Sequence, residues 1–257
     1  MALYQELPFS LSDSGSKDVY GVGNYYLQVF DRTSSTVALA TLYLLDSHGQ
    51  INSDTQNPDY EAIQPSQIDW FTKTSQALRE EREKNISQEK DEHHDHSHTS
   101  LVFFHIPIPE FADDSRIIKV GGHRREPTEG PSINTHLYDA LVEERVAAVG
   151  CGHDHVNDFC ARLKDDDGEP QHGPWLCYNG GSGYGGYCSY GENRYHRRMR
   201  VWELNTHDGS LKTWKRMEYH EQRIDELVLV ADGESVAPDA AANANLGQRR
   251  LTAQTEL

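Results

Sequence analysis

Two short apolar runs, each ending in histidine, constrain the fold of this chain more than any other feature. The first, LVFFHIP, reaches His105, and the second, VAAVGCGHDH, reaches His153 and His155. Both have the length of a strand, are rich in Val, Phe and Ala, and are bounded by Gly or Pro, which predicts buried strands. Between them, THLYDALVEER has a helical pattern, with Asn134 as its candidate cap. This strand, helix, strand order predicts an α/β layered domain.

The histidines therefore fall at the carboxyl ends of strands, where open α/β sheets form their ligand sites. His153 and His155 are two residues apart, so in an extended chain both rings point to the same side. Imidazole binds Zn, Fe and other first-row metals, and we predict a metal site at His105, His153 and His155. The alternative is that His105 is a hydrogen-bonded core residue and that GHDH is a polar turn.

Further patterns extend the domain on both sides. NYYLQVF and TVALATLYLLDSHG, joined by a turn-like DRTSS, predict a hairpin that feeds a buried strand. After Pro65, the residues Ile68, Phe71, Ser75 and Leu78 recur at helical intervals and predict an amphipathic helix over the sheet. RMRVWELN and LKTWKRM alternate in polarity around THDGS and predict a second hairpin.

Three stretches lack such a pattern. Residues 88–100 are polar and His-rich, and we interpret them as a solvated linker rather than a metal-scavenging tract. Residues 107–131 predict a Pro- and Gly-rich loop. Residues 231–257, rich in Ala, Asn and Gln, predict a flexible tail, which leaves residues 1–230 as the domain.

Composition narrows the functions that the chain can have. It carries 24 Lys plus Arg against 41 Asp plus Glu, a formal charge of −17. The absence of an excess of cationic surface argues against nonspecific nucleic-acid binding. The amino terminus has no signal-peptide pattern, and no apolar run reaches the roughly 20 residues that a bilayer requires. We therefore expect a soluble cytoplasmic protein with no membrane partner.

The cysteines fit a reducing compartment. Cys151, Cys160, Cys177 and Cys188 include no CxxC pair, which argues against a structural zinc site. We expect buried free thiols.

The order of an isolated strand-end His followed by GHDH resembles that of the calcineurin-like metallophosphoesterases, in the fungal branch related to purple acid phosphatases. The resemblance covers roughly residues 1–230, through GNYYLQVF, LYLLDSHG, PSQIDWF, FFHIPIPEF, CGHDHVNDFC, WLCYNGGSGYGGY and YHRRMRVWELN. It implies that the chain is the carboxyl-terminal part of a four-layer α/β-β/α sandwich with mixed sheets. It also implies a hydrolase in which two ions of Fe, Mn or Zn activate water and clamp the phosphate of a phosphorylated protein or small phosphoester.

Residue by residue, the resemblance assigns His105 and His153 to one ion and His155 to the second. The family's first three motifs, DxH, GDxx[DN] and GNH[DE], have no counterpart, because DSH at Asp46 to His48 lies in the wrong place and GVGN at Gly21 to Asn24 is not followed by His. Since these motifs supply the bridging carboxylate, the Asn ligand and the catalytic His, we assign no catalytic residue. We expect a chain that begins downstream of these motifs, binds two metals weakly, and leaves strand edges and apolar faces uncovered.

Three interpretations follow. The chain is the carboxyl-terminal portion of a metal-dependent phosphomonoesterase, or a non-catalytic remnant that binds a partner or a single ion through the same surface. The third interpretation is a mononuclear hydrolase, because three histidines can form a catalytic zinc site on their own.

Overall fold

The computed structural model describes residues 2–30, 36–54, 56–88 and 98–241. Its elements comprise three helices and thirteen strands within those ranges. The helices are α1 (Ala2–Gln5), α2 (Pro65–Gln88) and α3 (Leu137–Glu143). The strands are β1 (Tyr25–Phe30), β2 (Ala38–Leu44), β3 (Thr99–Phe103), β4 (Ile117–Gly121), β5 (Ala148–Cys151), β6 (Cys160–Leu163), β7 (Trp175–Tyr178), β8 (Ser189–Tyr190), β9 (Asn193–Arg194), β10 (Arg198–Leu204), β11 (Leu211–Met217), β12 (Ile224–Ala231) and β13 (Glu234–Ser235).

A seven-stranded mixed sheet in the order β1-β2-β3-β5-β7-β6-β4 forms the centre of the molecule. Strands β2, β3, β5 and β7 are parallel to one another, while β1 at one edge and β6 and β4 at the other are antiparallel to their neighbours. A smaller antiparallel sheet has the order β10-β11-β12-β13, and β8 and β9 form a two-stranded ladder. The chain therefore has the mixed α/β architecture that the sequence predicts.

Helices α2 and α3 cover one face of the large sheet. On α2, Phe71 is fully buried, Ser75 is buried, and Ile68 and Leu78 pack against the same core cluster. This confirms the predicted amphipathic helix, because the residues that recur at helical intervals are those that face the sheet.

The opposite face of the large sheet has two unlike halves. On one half, Leu101, Trp175 and Cys177 are buried in a core cluster with residues of the small sheet, among them Leu211 and Leu229. We call this the covered half.

On the other half, Leu27 and Leu42 lie directly opposite each other on β1 and β2, as do Tyr25 and Leu44. Cross-strand partners share a face, and Leu42 packs at the margin of the covered cluster. These four side chains are only half-buried among the described residues. We call this part, residues 25–30 and 40–44, the open half.

Several predicted elements are confirmed. Strands β1 and β2 form the first hairpin and β10 and β11 the second, while β3, α3 and β5 provide the strand, helix, strand order. The predicted DRTSS turn lies outside the described residues, as does most of the predicted linker at residues 89–97. Of that linker, residues 99 and 100 already belong to β3.

Three local predictions are corrected. The loop predicted over residues 107–131 contains a 3-10 turn (Pro109–Ala112) and the edge strand β4. Helix α3 begins after His136, and the Asn134 side chain instead accepts a hydrogen bond of 2.8 Å from the His136 backbone N–H. The first part of the tail predicted over residues 231–257 is structured, because β12 extends to Ala231, β13 pairs with β12, and Ala241 is buried. Residues 242–257 lie outside the described residues.

The prediction of free thiols is wrong for two of the four cysteines. Cys160 and Cys177 lie directly opposite each other on β6 and β7 and form a disulfide, while Cys151 and Cys188 are free. The pairing depends on strand register, which cysteine spacing along the chain does not reveal. Among the described helices, none combines the length and the apolar character needed to span a membrane.

Candidate functional site

The three predicted histidines line one cleft at the carboxyl ends of β3 and β5. His105 follows β3 by two residues, and His153 and His155 follow β5, its parallel neighbour. The cleft has a volume of about 550 Å³, and the glycine-rich residues 180–186 contribute to its far wall. Because β3 and β5 are parallel neighbours, their carboxyl ends meet at one edge of the sheet. This brings together histidines that are about 50 positions apart in the chain.

His105 is positioned through its backbone. Its N–H and that of Ile106 donate to the Ser47 hydroxyl at 3.1 and 2.8 Å, and its carbonyl accepts the Gly152 N–H at 2.9 Å. The ring then faces that of His153 edge-on, with centroids 5.4 Å apart. His105 therefore belongs to the cleft rather than to the core.

His153 has a left-handed backbone with a φ of 70°, a conformation that costs free energy in a non-glycine residue and is concentrated at functional sites. Its ring packs edge-on against Tyr60 at 4.6 Å, and its Nε2 lies 4.0 Å from Glu129 Oε2. The Tyr60 hydroxyl donates to that same carboxylate oxygen at 3.1 Å. Nε2 of His153 is buried and has no hydrogen-bond partner within the described part of the chain.

His155 is held differently. Its ring stacks on Tyr187 with centroids 4.1 Å apart and an angle of 14° between planes. Its Nδ1 lies 3.0 Å from the Tyr187 carbonyl oxygen, and its backbone N–H donates to the Tyr187 hydroxyl at 3.1 Å. His155 is thus bound to the glycine-rich wall of the cleft, and the other two rings face each other.

The electrostatics favour neutral imidazoles. Burial lowers the pKa of His105, with a further contribution from His155, and burial together with His105 lowers the pKa of His153. Metal ligation requires this neutral form. Between the two GHDH histidines, burial raises the pKa of Asp154 to about 7. Asp154 accepts hydrogen bonds from the Tyr178 hydroxyl and the Glu129 N–H, so it supports the loop from behind.

These residues alone do not fit a complete metal site. Among the described residues, no group of three or more His, Cys, Asp or Glu side chains is arranged to hold an ion. Two facing imidazoles and the unpartnered Nε2 of His153 supply nitrogen donors on one side of the cleft. Among the described residues no carboxylate completes a donor set with these histidines. Glu129 lies nearby, with Oε2 4.0 Å from His153 Nε2 and hydrogen-bonded to the Tyr60 hydroxyl.

Asp46 and His48, which imitate a DxH motif, have structural contacts. His48 Nε2 lies 2.7 Å from Gln67 Oε1, and Asp46 accepts the Val22 N–H at 2.7 Å. Sequence reasoning missed Tyr60, Glu126, Glu129 and Tyr187, which surround the histidines. Their only signal is that they fall in loops rich in Gly, Pro and Tyr, which does not single them out.

Comparison with known proteins relates the chain to phosphatases. It is 35% identical over 236 residues to "Probable inactive purple acid phosphatase 14" of Arabidopsis thaliana, covering 85% of this chain and 55% of the relative. It is 34% identical over 239 residues to "Phosphatase DCR2" of Saccharomyces cerevisiae, covering 89% and 38%. It is 35% identical over 242 residues to "Probable inactive purple acid phosphatase 29" of Arabidopsis thaliana, covering 87% and 58%. No family model matches the chain.

The fold and these similarities support a relationship of the chain to the calcineurin-like phosphoesterases. More narrowly, it is homologous to purple acid phosphatase-like proteins and to the yeast phosphatase DCR2 over most of its own length. It spans only 38% to 58% of the length of these relatives. Two of the three carry "inactive" in their names, so the similarity establishes a phosphatase relationship and not an activity.

Proposed function

We propose that this chain contributes the histidine half of a metal-dependent phosphomonoesterase site and does not hydrolyse phosphomonoesters by itself. The observation that carries the proposal is the convergence of His105, His153 and His155 on one cleft at the ends of adjacent parallel strands. The proposed substrate is a phosphorylated protein or small phosphoester, and the proposed cofactors are two ions of Fe, Mn or Zn.

The buried Nε2 of His153 supports this assignment. A buried polar atom left without a partner costs about 1–3 kcal/mol, a cost that a ligand would remove. The left-handed backbone of His153 adds a second local cost. Both costs occur beside neutral imidazoles in an open cleft, a combination typical of ligand sites.

The missing carboxylates support the second part of the proposal. A dinuclear site requires negative ligands to balance the charge of two cations. Within the described residues the cleft offers imidazoles and glycine backbone, with Glu129 hydrogen-bonded to Tyr60 at its margin. We therefore expect metal binding in the micromolar range or weaker and no turnover.

The test combines calorimetric titration of the chain with Zn²⁺ or Mn²⁺ and an assay with p-nitrophenyl phosphate. We expect weak binding that His153→Ala abolishes and that His136→Ala leaves intact, because His136 is exposed and pairs with Asp139 outside the cleft. Robust metal-dependent turnover by this chain would refute the proposal.

A non-catalytic remnant is the second candidate, favoured by the incomplete donor set. Absence of any metal binding would leave this candidate in place. A mononuclear site of three histidines is the third candidate, and it fits less well because the described side chains include no group of three arranged to hold an ion. A single tightly bound ion that His153→Ala removes would favour it.

Cytoplasmic location stays a prediction. The buried Cys160–Cys177 disulfide is unusual for a reducing compartment. The net charge of −17 continues to argue against nucleic acid as a partner.

A further inference from the structure

We infer that Tyr187 and Glu126 are positioning residues that fix the ring of His155 in one tautomer, with the lone pair of Nε2 available to the cleft. The inference deepens the proposed function, and the role assigned to the ring rests on it. The geometry itself involves only contacts within this chain.

The tautomer follows from the partner of Nδ1. A backbone carbonyl oxygen accepts hydrogen bonds and cannot donate one, so the 3.0 Å contact with Tyr187 requires the proton on Nδ1. In a neutral imidazole Nε2 then carries the lone pair. A nitrogen that is to bind a cation or accept a proton requires this tautomer, and support of the opposite nitrogen is how proteins orient ligand histidines.

Tyr187 holds His155 at three points. The ring stacks on the imidazole, the carbonyl accepts from Nδ1, and the hydroxyl accepts from the His155 backbone N–H. The wall can approach this closely because residue 186 is Gly, since a Cβ there would lie 2.5 Å from His155 Cε1. The contact is therefore built by the loop sequence GGY and not by one side chain alone.

Glu126 in turn fixes Tyr187. The Tyr187 hydroxyl donates to the Glu126 carboxylate, with both oxygens within 3.0 Å, and the Val156 N–H donates to Oε1 at 2.9 Å. The Asn157 side chain accepts the Glu126 N–H at 3.1 Å and donates to its carbonyl at 3.1 Å. Val156 and Asn157, which follow His155 in the chain, are thus hydrogen-bonded to Glu126, which in turn holds Tyr187.

The network is costly unless it orients the ring. Burial raises the pKa of Glu126, while the hydrogen bonds from the Val156 N–H and the Tyr187 hydroxyl act in the opposite direction and stabilise the carboxylate. Scaffolding alone would not require that charge, because a buried apolar pair of similar volume stabilises a loop as well or better. Placing one nitrogen of His155 does require a specific set of hydrogen bonds.

The experiment is long-range ¹H–¹⁵N NMR of the metal-free chain, with the His155 ring assigned through His155→Gln. We expect the wild-type spectrum to show Nδ1 protonated and Nε2 unprotonated. Tyr187→Leu removes the ring and the hydroxyl, and we expect a mixture of both tautomers. Tyr187→Phe retains the ring but not the link to Glu126, and we expect an intermediate pattern. Tyr190→Phe is the matched control, because Tyr190 lies three residues further on in β8, is exposed, and has a hydroxyl with no described hydrogen bond.

A wild-type His155 with unprotonated Nδ1 would overturn the inference, as would a wild-type pattern retained in both Tyr187 variants. Thermal unfolding of each variant verifies that the fold is intact, and Tyr187→Phe remains informative if Tyr187→Leu fails to fold. Because the readout is taken without metal, the expected tautomers support the positioning role even where the calorimetric titration shows no binding. Absence of metal binding in that titration would count against the proposed function and not against the positioning role.

Discussion

The two halves of the large sheet differ in what covers them, although they belong to one hydrogen-bonded array. In the covered half, Trp175 and Leu229 are fully buried, and the indole N–H of Trp175 donates to the Leu229 carbonyl at 3.2 Å. In the open half, Leu27 and Leu42 lie opposite each other and are only partly buried. The same alternation of apolar residues thus contributes very differently to stability, depending on whether a second sheet lies over it.

Two further devices stabilise only the covered half. Asp158 forms salt bridges with Arg125 at 2.7 Å, Arg198 at 2.8 Å and Lys215 at 3.1 Å, and joins the loop after GHDH to β10 and β11. The Cys160–Cys177 disulfide connects β6 with β7 in the same half. The open half has neither, and its edge strand YYLQVF carries no charged residue. Uncharged edge strands are prone to pair with other chains.

The largest effect is expected from Asp158→Asn. Arg198 and Lys215 are almost fully buried, and removal of the shared carboxylate leaves Arg198 without its carboxylate partner and Lys215 paired with Asp225 alone. We expect a cost of about 3–5 kcal/mol. Urea unfolding measures the loss, with the exposed Asp166→Asn as control. An effect below about 1 kcal/mol would mean that the cluster does not stabilise the covered half.

Asp158 also predicts a pH dependence. Its folded pKa lies far below the usual value because Lys215, Arg198 and Arg125 stabilise the carboxylate against the opposing effect of burial. A depressed folded pKa stabilises the protein fully above the unfolded value of about 3.9, and the stabilisation is lost as the pH falls below it. Asp158→Asn should therefore flatten the acid side of the stability profile.

Removal of the disulfide should cost about 3 kcal/mol, the value expected for a loop closed by 17 residues. Cys160→Ala combined with Cys177→Ala tests this by urea unfolding. Thiol titration of the unfolded wild-type chain should find two free thiols before reduction and four after it. Four thiols without reductant would show that this difference between the halves does not exist.

A matched pair of truncations compares the halves directly. Leu229→Ala opens a cavity under the small sheet and should cost about 2–5 kcal/mol, whereas Leu27→Ala removes a half-exposed side chain and should cost about 1 kcal/mol. Equal losses would show that the open half is as well packed as the covered one.

The smallest effect concerns surface properties. Leu27→Lys places a charge on the open half and should reduce binding of the dye 8-anilinonaphthalene-1-sulfonate by roughly half, together with self-association. Ile133→Lys changes an exposed apolar residue outside this face and serves as control. If both variants change dye binding and self-association equally, the open half is not the apolar surface responsible for them.

Sequence patterns predicted the structural features that depend on residues close together in the chain. The hairpins, helix α2 and the strands before His105 and His153 follow from local periodicity, and strand ends placed all three histidines in one cleft. Strand β4 was missed because its five residues at the sheet edge are only partly buried and follow a Pro-rich stretch. The disulfide and the Tyr187–Glu126 contact were missed because they join residues 17 and 61 positions apart, which only register and loop packing bring together.

The salt-bridge cluster around Asp158 also bears on local unfolding of the molecule. Asp158 lies three residues after His155, and its cationic partners belong to the loop at Arg125 and to the small sheet. The small sheet therefore cannot separate from the large sheet without breaking the contacts that hold the GHDH loop. We therefore expect opening of the GHDH loop to be coupled to detachment of the small sheet, with similar free energies of hydrogen exchange for the backbone amides of both regions.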